Sequence, residues 1–252
     1  MLQNLKMTIE YDGTGFNGWQ IQPKNQRTVQ DEIEKAIRTI FKTKVRITAS
    51  GRTDSGTHAL GQVANFKIKT DKSCNEIKRA LNANLPEDIT IINVCKAPDA
   101  FHAQYSVQSK MYRYTILNRE ERCVLQRHLC LHYPYKLNLR LIREEVKCLL
   151  GRHNFKSFQG ADASKKHKDP LKDTIRTIHK IDIKKRKEFI SIEIEANGFL
   201  YKMVRNIVGT LLAIGSGQLP KGSMKKILDK KNRNYAGYTA KSLGLTLVKV
   251  NY

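Results

Sequence analysis

The chain has 252 residues, 40% of them hydrophobic and 27% charged, which suits one large domain or two smaller ones and excludes a mainly disordered polypeptide. Against 23 Asp and Glu stand 46 Lys and Arg, a formal charge of +23. Such an excess calls for a polyanionic partner, a nucleic acid first, because phosphates reward cations through counterion release and steering. No uncharged run approaches the ~20 apolar residues a bilayer requires, and no basic start leads into an apolar leader, so a cytoplasmic protein with no membrane partner is expected.

In chain order, Leu5 to Asp12 predicts a strand, and a Gly-rich loop, Gly13 to Gly18, leads to the single tryptophan, Trp19. Thr28 is placed to cap a helix whose Val29, Ile33, Ala36, Ile37, Ile40 and Phe41 share one face. Lys44 to Ser50 and Gly61 to Thr70 alternate as strands, Ser73 and Glu76 have capping-box spacing for a second helix ending before Pro86, and Asp88 to Val94 closes the set. The second half repeats that order. A strand at Lys110 to Leu117, a helix at Asn138 to Leu150, strands at Thr174 to Lys184 and Phe189 to Asn197, a helix from Phe199, and a strand at Gly244 to Asn251 follow. The expected architecture is α+β: two βαββαβ (ferredoxin-like, RRM-like) domains with mainly antiparallel sheets, divided as 1–105 and 106–252.

Two basic runs, Lys165-Lys166-His167-Lys168 and Lys184-Lys185-Arg186-Lys187, are surface by default and together suggest an RNA footprint; the second falls at a hairpin tip. The cysteines, Cys74, Cys95, Cys123, Cys130 and Cys148, are odd in number with no C-x-x-C pair, as reduced thiols would be. Cys130, His128 and His132 alternate on one strand face beside Cys123, yet the spacing matches no zinc-finger pattern, and no metal is expected.

The segment Gly51-Arg52-Thr53-Asp54-Ser55-Gly56-Thr57-His58-Ala59 lies between two predicted strands, where a rigid scaffold can hold a short loop. Arg52 is placed to keep Asp54 ionised, as a nucleophile or base requires; an Asp-rich turn with a local ion pair fits the same residues. Asp54-Ser55-Gly56 matches the triplet of aspartic peptidases, but those need two aspartates sharing a proton, and Asp12-Gly13-Thr14 has the wrong order.

Six strings in order resemble the tRNA pseudouridine synthase A (TruA) family along essentially the whole chain. They are Glu10-Tyr11-Asp12-Gly13 with Gly18-Trp19-Gln20, Gly51 to His58, Asn82-Ala83-Asn84-Leu85-Pro86, Phe101-His102-Ala103, Lys110-Met111-Tyr112-Arg113-Tyr114, and Met203-Val204-Arg205-Asn206-Ile207-Val208-Gly209. The resemblance implies the pseudouridine synthase fold and isomerisation of uridine to pseudouridine in the tRNA anticodon stem-loop, at positions 38, 39 and 40, by a homodimer without a cofactor. It implies that Asp54 is the essential carboxylate, attacking covalently or removing a ribose proton, and that Arg52 assists base flipping. It also implies that Tyr112 stacks on the flipped base, that Arg205 pairs with the aspartate, and that His58 and Leu245 help bind substrate. By pattern alone Tyr112 and Tyr114 could both be core aromatics, and Arg205 groups with Lys202 and Asn206 on the polar side of its helix. Ser55 departs from the Ala many relatives carry. The competing class is a non-catalytic RNA-binding protein, which Asp54 separates from an enzyme.

Overall fold

The computed structural model describes residues 2–22, 26–161 and 173–252. The run Lys165 to Lys168 lies outside them. Two compact units result: Met1–Lys110 with Thr246–Tyr252, and Met111–Leu245. The fold is mixed α+β with mainly antiparallel strand pairing.

In the first unit the elements are β1 (Leu2–Tyr11), α1 (Val29–Phe41), β2 (Thr48–Ala49), β3 (His58–Lys69), α2 (Cys74–Asn84) and β4 (Ile89–Ala97). β1 lies between β3 and β4, antiparallel to both. Its Leu5, Met7 and Ile9 are fully buried, as are Val29, Ile33 and Ile37 of α1 and Ile77 and Leu81 of α2. Removing each of these side chains from water is worth about 1.5–3 kcal/mol. Both helices start where their caps predict: Thr28 accepts from the Asp31 amide, and Ser73 with Glu76 forms a complete capping box. The strand expected over Lys44 to Ser50 shrinks to Thr48–Ala49, which pair with Asn65 and Ala64 on β3, while the Ser50 amide adds one bond to the Val63 carbonyl (2.7 Å).

In the second unit β5 (Ser109–Leu117), β6 (Leu131–His132), α3 (Leu139–Glu145), β7 (Gly151–Asn154), β8 (Ile175–Arg186) and β9 (Phe189–Ala196) precede α4 (Met203–Gly215) and α5 (Ser223–Lys230). The sheet order is β5-β9-β8-β7, with β6 beside β5. β8 and β9 form the expected hairpin, and its tip turns through Lys187 at φ 53°. α4 begins later than the apolar pattern predicts, since Lys202 takes the left-handed conformation at φ 57° and an α-helix cannot run through it. The closing strand β10 (Leu245–Asn251), expected in the second domain, pairs in parallel with the start of β3, Thr246 with His58 and Leu247 with Ala59.

Candidate active site

The residues expected to carry the chemistry divide between the units: Arg52, Asp54 and His58 in the first, Tyr112, Arg205 and Leu245 in the second.

Asp54 is half-buried in the loop between β2 and β3, and that loop is pinned along its length. The amides of Trp19 and Gly56 donate to the carbonyls of Thr53 (3.2 Å) and Phe16 (3.3 Å), the Ser55 hydroxyl also donates to Phe16 (3.2 Å), and the Thr57 amide closes a turn onto the Asp54 carbonyl (3.1 Å). The hydroxyls of Tyr11 and Thr53 meet at 2.8 Å. Behind the loop Ser50 bonds Gln62 (2.6 Å), Gln62 donates to the Gly51 carbonyl (3.0 Å), and Lys110 donates to the Ser50 carbonyl (2.5 Å).

The Gly13 to Trp19 stretch packs closely against this loop because Gly13 and Gly18 carry no Cβ. A Cβ on Gly18, whose φ is +86°, would stand 2.6 Å from the Thr53 carbonyl oxygen, and one on Gly13 would collide with the Thr57 carbonyl. The first turn of α1 holds the other side: the Val29 and Gln30 amides donate to Gly18 and Trp19 (3.3 and 3.0 Å). Arg27 lies 4.2 Å over the Phe16 ring and forms a two-pronged ion pair with Asp88 (2.6 and 2.8 Å). A carboxylate on so short and braced a loop keeps its place relative to a bound sugar, as nucleophilic or base chemistry requires.

Arg52 is exposed beside this frame. His58 is buried, only 3% exposed, with Nδ1 3.1 Å from the Gly13 amide and 3.0 Å from an Asp12 oxygen. One nitrogen cannot accept from the amide and donate to the carboxylate at once. Burial of Asp12 works against its ionisation, but hydrogen bonds from the Thr14 hydroxyl and amide, with His58 adding to them, hold the carboxyl below its ordinary range.

In the second unit Tyr112 is 8% exposed and meets Phe199 edge to face, centroids 5.1 Å apart at 89°. Tyr114, fully buried, donates to the Lys241 carbonyl (2.6 Å), and burial pushes its phenol pKa upward against the opposing charge of Arg205. Arg205 is half-buried on α4 and tied to Ala240 twice: its Nε donates to the Ala240 carbonyl (2.7 Å), and the Ala240 amide donates to its own carbonyl (3.1 Å).

Periodicity missed the neighbour that makes this possible. Asn206, expected on the polar side of the helix, is fully buried. It donates to the Phe158 carbonyl (2.7 Å) and accepts from Thr239 (2.6 Å) and Arg233 (3.1 Å), holding the 233–240 segment against α4. An Asn on an otherwise apolar helix was the available signal, since a polar side chain is stable inside a core only when its hydrogen bonds are met. Leu245 is 6% exposed at the start of β10. Among the residues weighed for a metal, the Cys130 thiol contacts the Gln126 carbonyl and a His132 ring nitrogen lies 3.0 Å from the Arg119 carbonyl.

A family profile described as tRNA pseudouridine synthase matches residues 7–106 and 146–252. The chain belongs to the tRNA pseudouridine synthase family. It is 43% identical over 251 residues to tRNA pseudouridine synthase A of Thermoanaerobacter sp. (strain X514), covering 100% of both chains. It is 43% identical over 253 residues to tRNA pseudouridine synthase A of Geobacillus sp. (strain WCH70), covering 100% of this chain and 99% of the other. Against tRNA pseudouridine synthase A 2 of Clostridium perfringens (strain 13 / Type A) the identity is 43% over 251 residues, with 100% of both covered. Membership in the synthase family makes the chain an isomerase of tRNA uridine and places Asp54 and Arg205 inside the matched ranges, with Tyr112 between them.

Proposed function

We propose that this chain isomerises uridine to pseudouridine in the tRNA anticodon stem-loop, at positions 38, 39 and 40, with Asp54 as the essential carboxylate. The observation that carries the reading is the bracing of the Asp54 loop by Phe16, Trp19, Tyr11 and Lys110, which fixes one ionisable oxygen pair on a Gly-flanked turn open to close approach. The reaction conserves atoms: the bond from N1 to the ribose breaks, the base turns, a bond from C5 forms, and C5 gives up a proton while N1 gains one. Asp54 attacks the sugar or removes its proton, Arg52 helps hold the uridine out of its helix, and Tyr112 offers an aromatic face for the stacking that the base loses. Arg205 supplies fixed positive charge, while His58 and Leu245, both buried, shape the substrate walls. No cofactor or metal enters.

In the same reading each half is a ferredoxin-like βαββαβ domain, with the boundary near residue 105, and the protein works in the cytoplasm as a homodimer, which light scattering would test. Asp54→Asn is expected to keep the fold and tRNA affinity while abolishing pseudouridine, mapped chemically in tRNA after incubation. Turnover retained in that variant would refute the assignment.

A further inference from the structure

The first unit carries a basic surface at the end of its sheet remote from Asp54. Tyr11 stands opposite Ala59 beside the catalytic loop, and Leu2 stands opposite Lys69 at the other end of the same strand pair. Ala59 to Lys69 spans roughly 30 Å at about 3.3 Å per residue. At that far end lies a groove of about 700 Å³ between the 43–48 segment, the last residues of β3 and the 99–102 segment.

The groove is lined by Lys44, Arg46, Lys67 and Lys69, all exposed, and by one carboxylate, Asp99. Arg46 also approaches Glu34 at 3.8 Å, with 61% of its side chain still exposed. Phe66 and Ile68 are buried, so Lys67 and Lys69 project from the opposite face of β3, the face that carries their partners Asn4 and Leu2. Four cations gathered around one concavity repel one another, and a polyanion relieves that repulsion.

One lip of the groove is held rigid. Asn4 donates to the carbonyls of Pro98 (2.8 Å) and Phe101 (3.0 Å), and Asn65 accepts from the Ala103 amide (2.9 Å). On this lip Tyr105, 79% exposed, stacks on His102 with centroids 4.2 Å apart and planes at 21°. The His102 Nδ1 accepts from the Gln104 and Tyr105 amides (3.2 and 3.3 Å), which fixes the ring beneath the tyrosine. An aromatic pair so built and so exposed presents a π-face to solvent beside a cationic groove, the combination that binds single-stranded or looped RNA.

We infer that this groove is a second RNA-binding surface, where the four cations take phosphates of the tRNA roughly 30 Å from the target uridine and Tyr105 stacks on an unpaired base. It rests on the tRNA substrate proposed above and adds a contact remote from the reacting nucleotide. Remote contacts of this kind supply binding that orients a substrate without touching the bond that breaks.

The test is anisotropy of a labelled tRNA transcript over a salt series with the full chain. The exposed double variant Lys67→Ala/Lys69→Ala is expected to raise Kd about tenfold at moderate salt, to lower the slope of log Kd against log salt by roughly 1 to 2, and to leave kcat at saturating tRNA unchanged. Lys67→Arg/Lys69→Arg restores both. Tyr105→Ala raises Kd about fivefold or more with the slope unchanged, since stacking carries no counterion term. Wild-type Kd and slope in the lysine double variant overturn the proposal, and so does a defect seen only on phosphatidylglycerol vesicles, which would assign the groove to a membrane surface. Binding is read alongside turnover, so a wild-type chain that binds tRNA without forming pseudouridine refutes the proposed activity and leaves the groove standing, whereas unaltered affinity in the variants refutes the groove alone.

Discussion

The hydroxyls of Tyr11 and Thr53 meet at 2.8 Å in a buried position, one residue before Asp54. Burial raises the Tyr11 phenol pKa despite the opposing bonds to Thr53 and Gln62, so the phenol stays protonated and neutral beside the loop. Tyr11→Phe deletes one partner and leaves the Thr53 hydroxyl poorly paired where water does not reach, at a cost of about 1–2 kcal/mol. Urea denaturation should show that loss. kcat should fall about fivefold or more with the Kd for tRNA unchanged, because the lost bond fixes the loop and touches no phosphate. A variant with wild-type kcat would show that the Asp54 loop needs no support from β1.

Gly18 and Gly217 have nearly the same backbone, φ +86° and +82°, in different surroundings. A Cβ at Gly18 meets the Thr53 carbonyl at 2.6 Å and the Asp54 backbone at 3.2 Å; at Gly217 nothing lies within 4 Å. Gly217→Ala should therefore cost only the left-handed conformation, about 1 kcal/mol, with activity intact. Gly18→Ala should cost about 2–3 kcal/mol or more and remove most activity, since relief requires the Asp54 loop to move. Thermal melts and single-turnover assays on the pair check this, and equal effects would mean that conformation alone is what Gly18 supplies.

Asp12 links the start of the Gly-rich loop to His58, and its folded pKa lies below the ordinary value of 3.8. A depressed carboxylate stabilises the fold above the unfolded pKa, and that contribution is lost as pH falls through the folded one. Denaturation midpoints of the wild type should therefore drop as pH is lowered from about 4, and Asp12→Asn should drop less over the same range. Parallel curves for the two proteins would show that Asp12 makes no difference to acid stability.

Local signals written in the chain survived into the structure where the cause was local. The Thr28 cap and the Ser73 to Glu76 capping box start α1 and α2 as their spacing dictates, and the clean alternation of Phe189 to Ala196 is a strand with every second residue buried. Signals failed where the cause was distant. The sequence of β10 says strand, but nothing in it says that Thr246 pairs with His58, because register across a parallel pair is set by tertiary packing. α5 escaped notice because its eight residues carry three lysines and an aspartate over a buried Met224, Ile227 and Leu228, too short a stripe to show a period. At the candidate site, the Gly-flanked loop around Asp54 stands out in the sequence, but its brace of backbone bonds from residues 16–19 does not, since backbone partners leave no trace in side-chain identity.

Asn206 is the clearest case of a placement that only the structure reveals. It is fully buried on α4 and satisfies the Phe158 carbonyl, the Thr239 hydroxyl and an Arg233 N–H, and the segment it holds presents the Ala240 carbonyl to Arg205 Nε at 2.7 Å. Asn206→Leu keeps the volume but leaves the buried Phe158 carbonyl without its donor and the half-buried Thr239 and Arg233 without their acceptor, at a cost of about 2–4 kcal/mol. Because Ala240 is then free to shift, the orientation of the Arg205 guanidinium shifts with it, and kcat should fall at least tenfold at a temperature where the variant is still folded by circular dichroism. The salt slope of tRNA binding should be unchanged, since Asn206 offers no charge to a phosphate. A folded Asn206→Leu variant with wild-type kcat would show that Arg205 does not depend on the strap for its position.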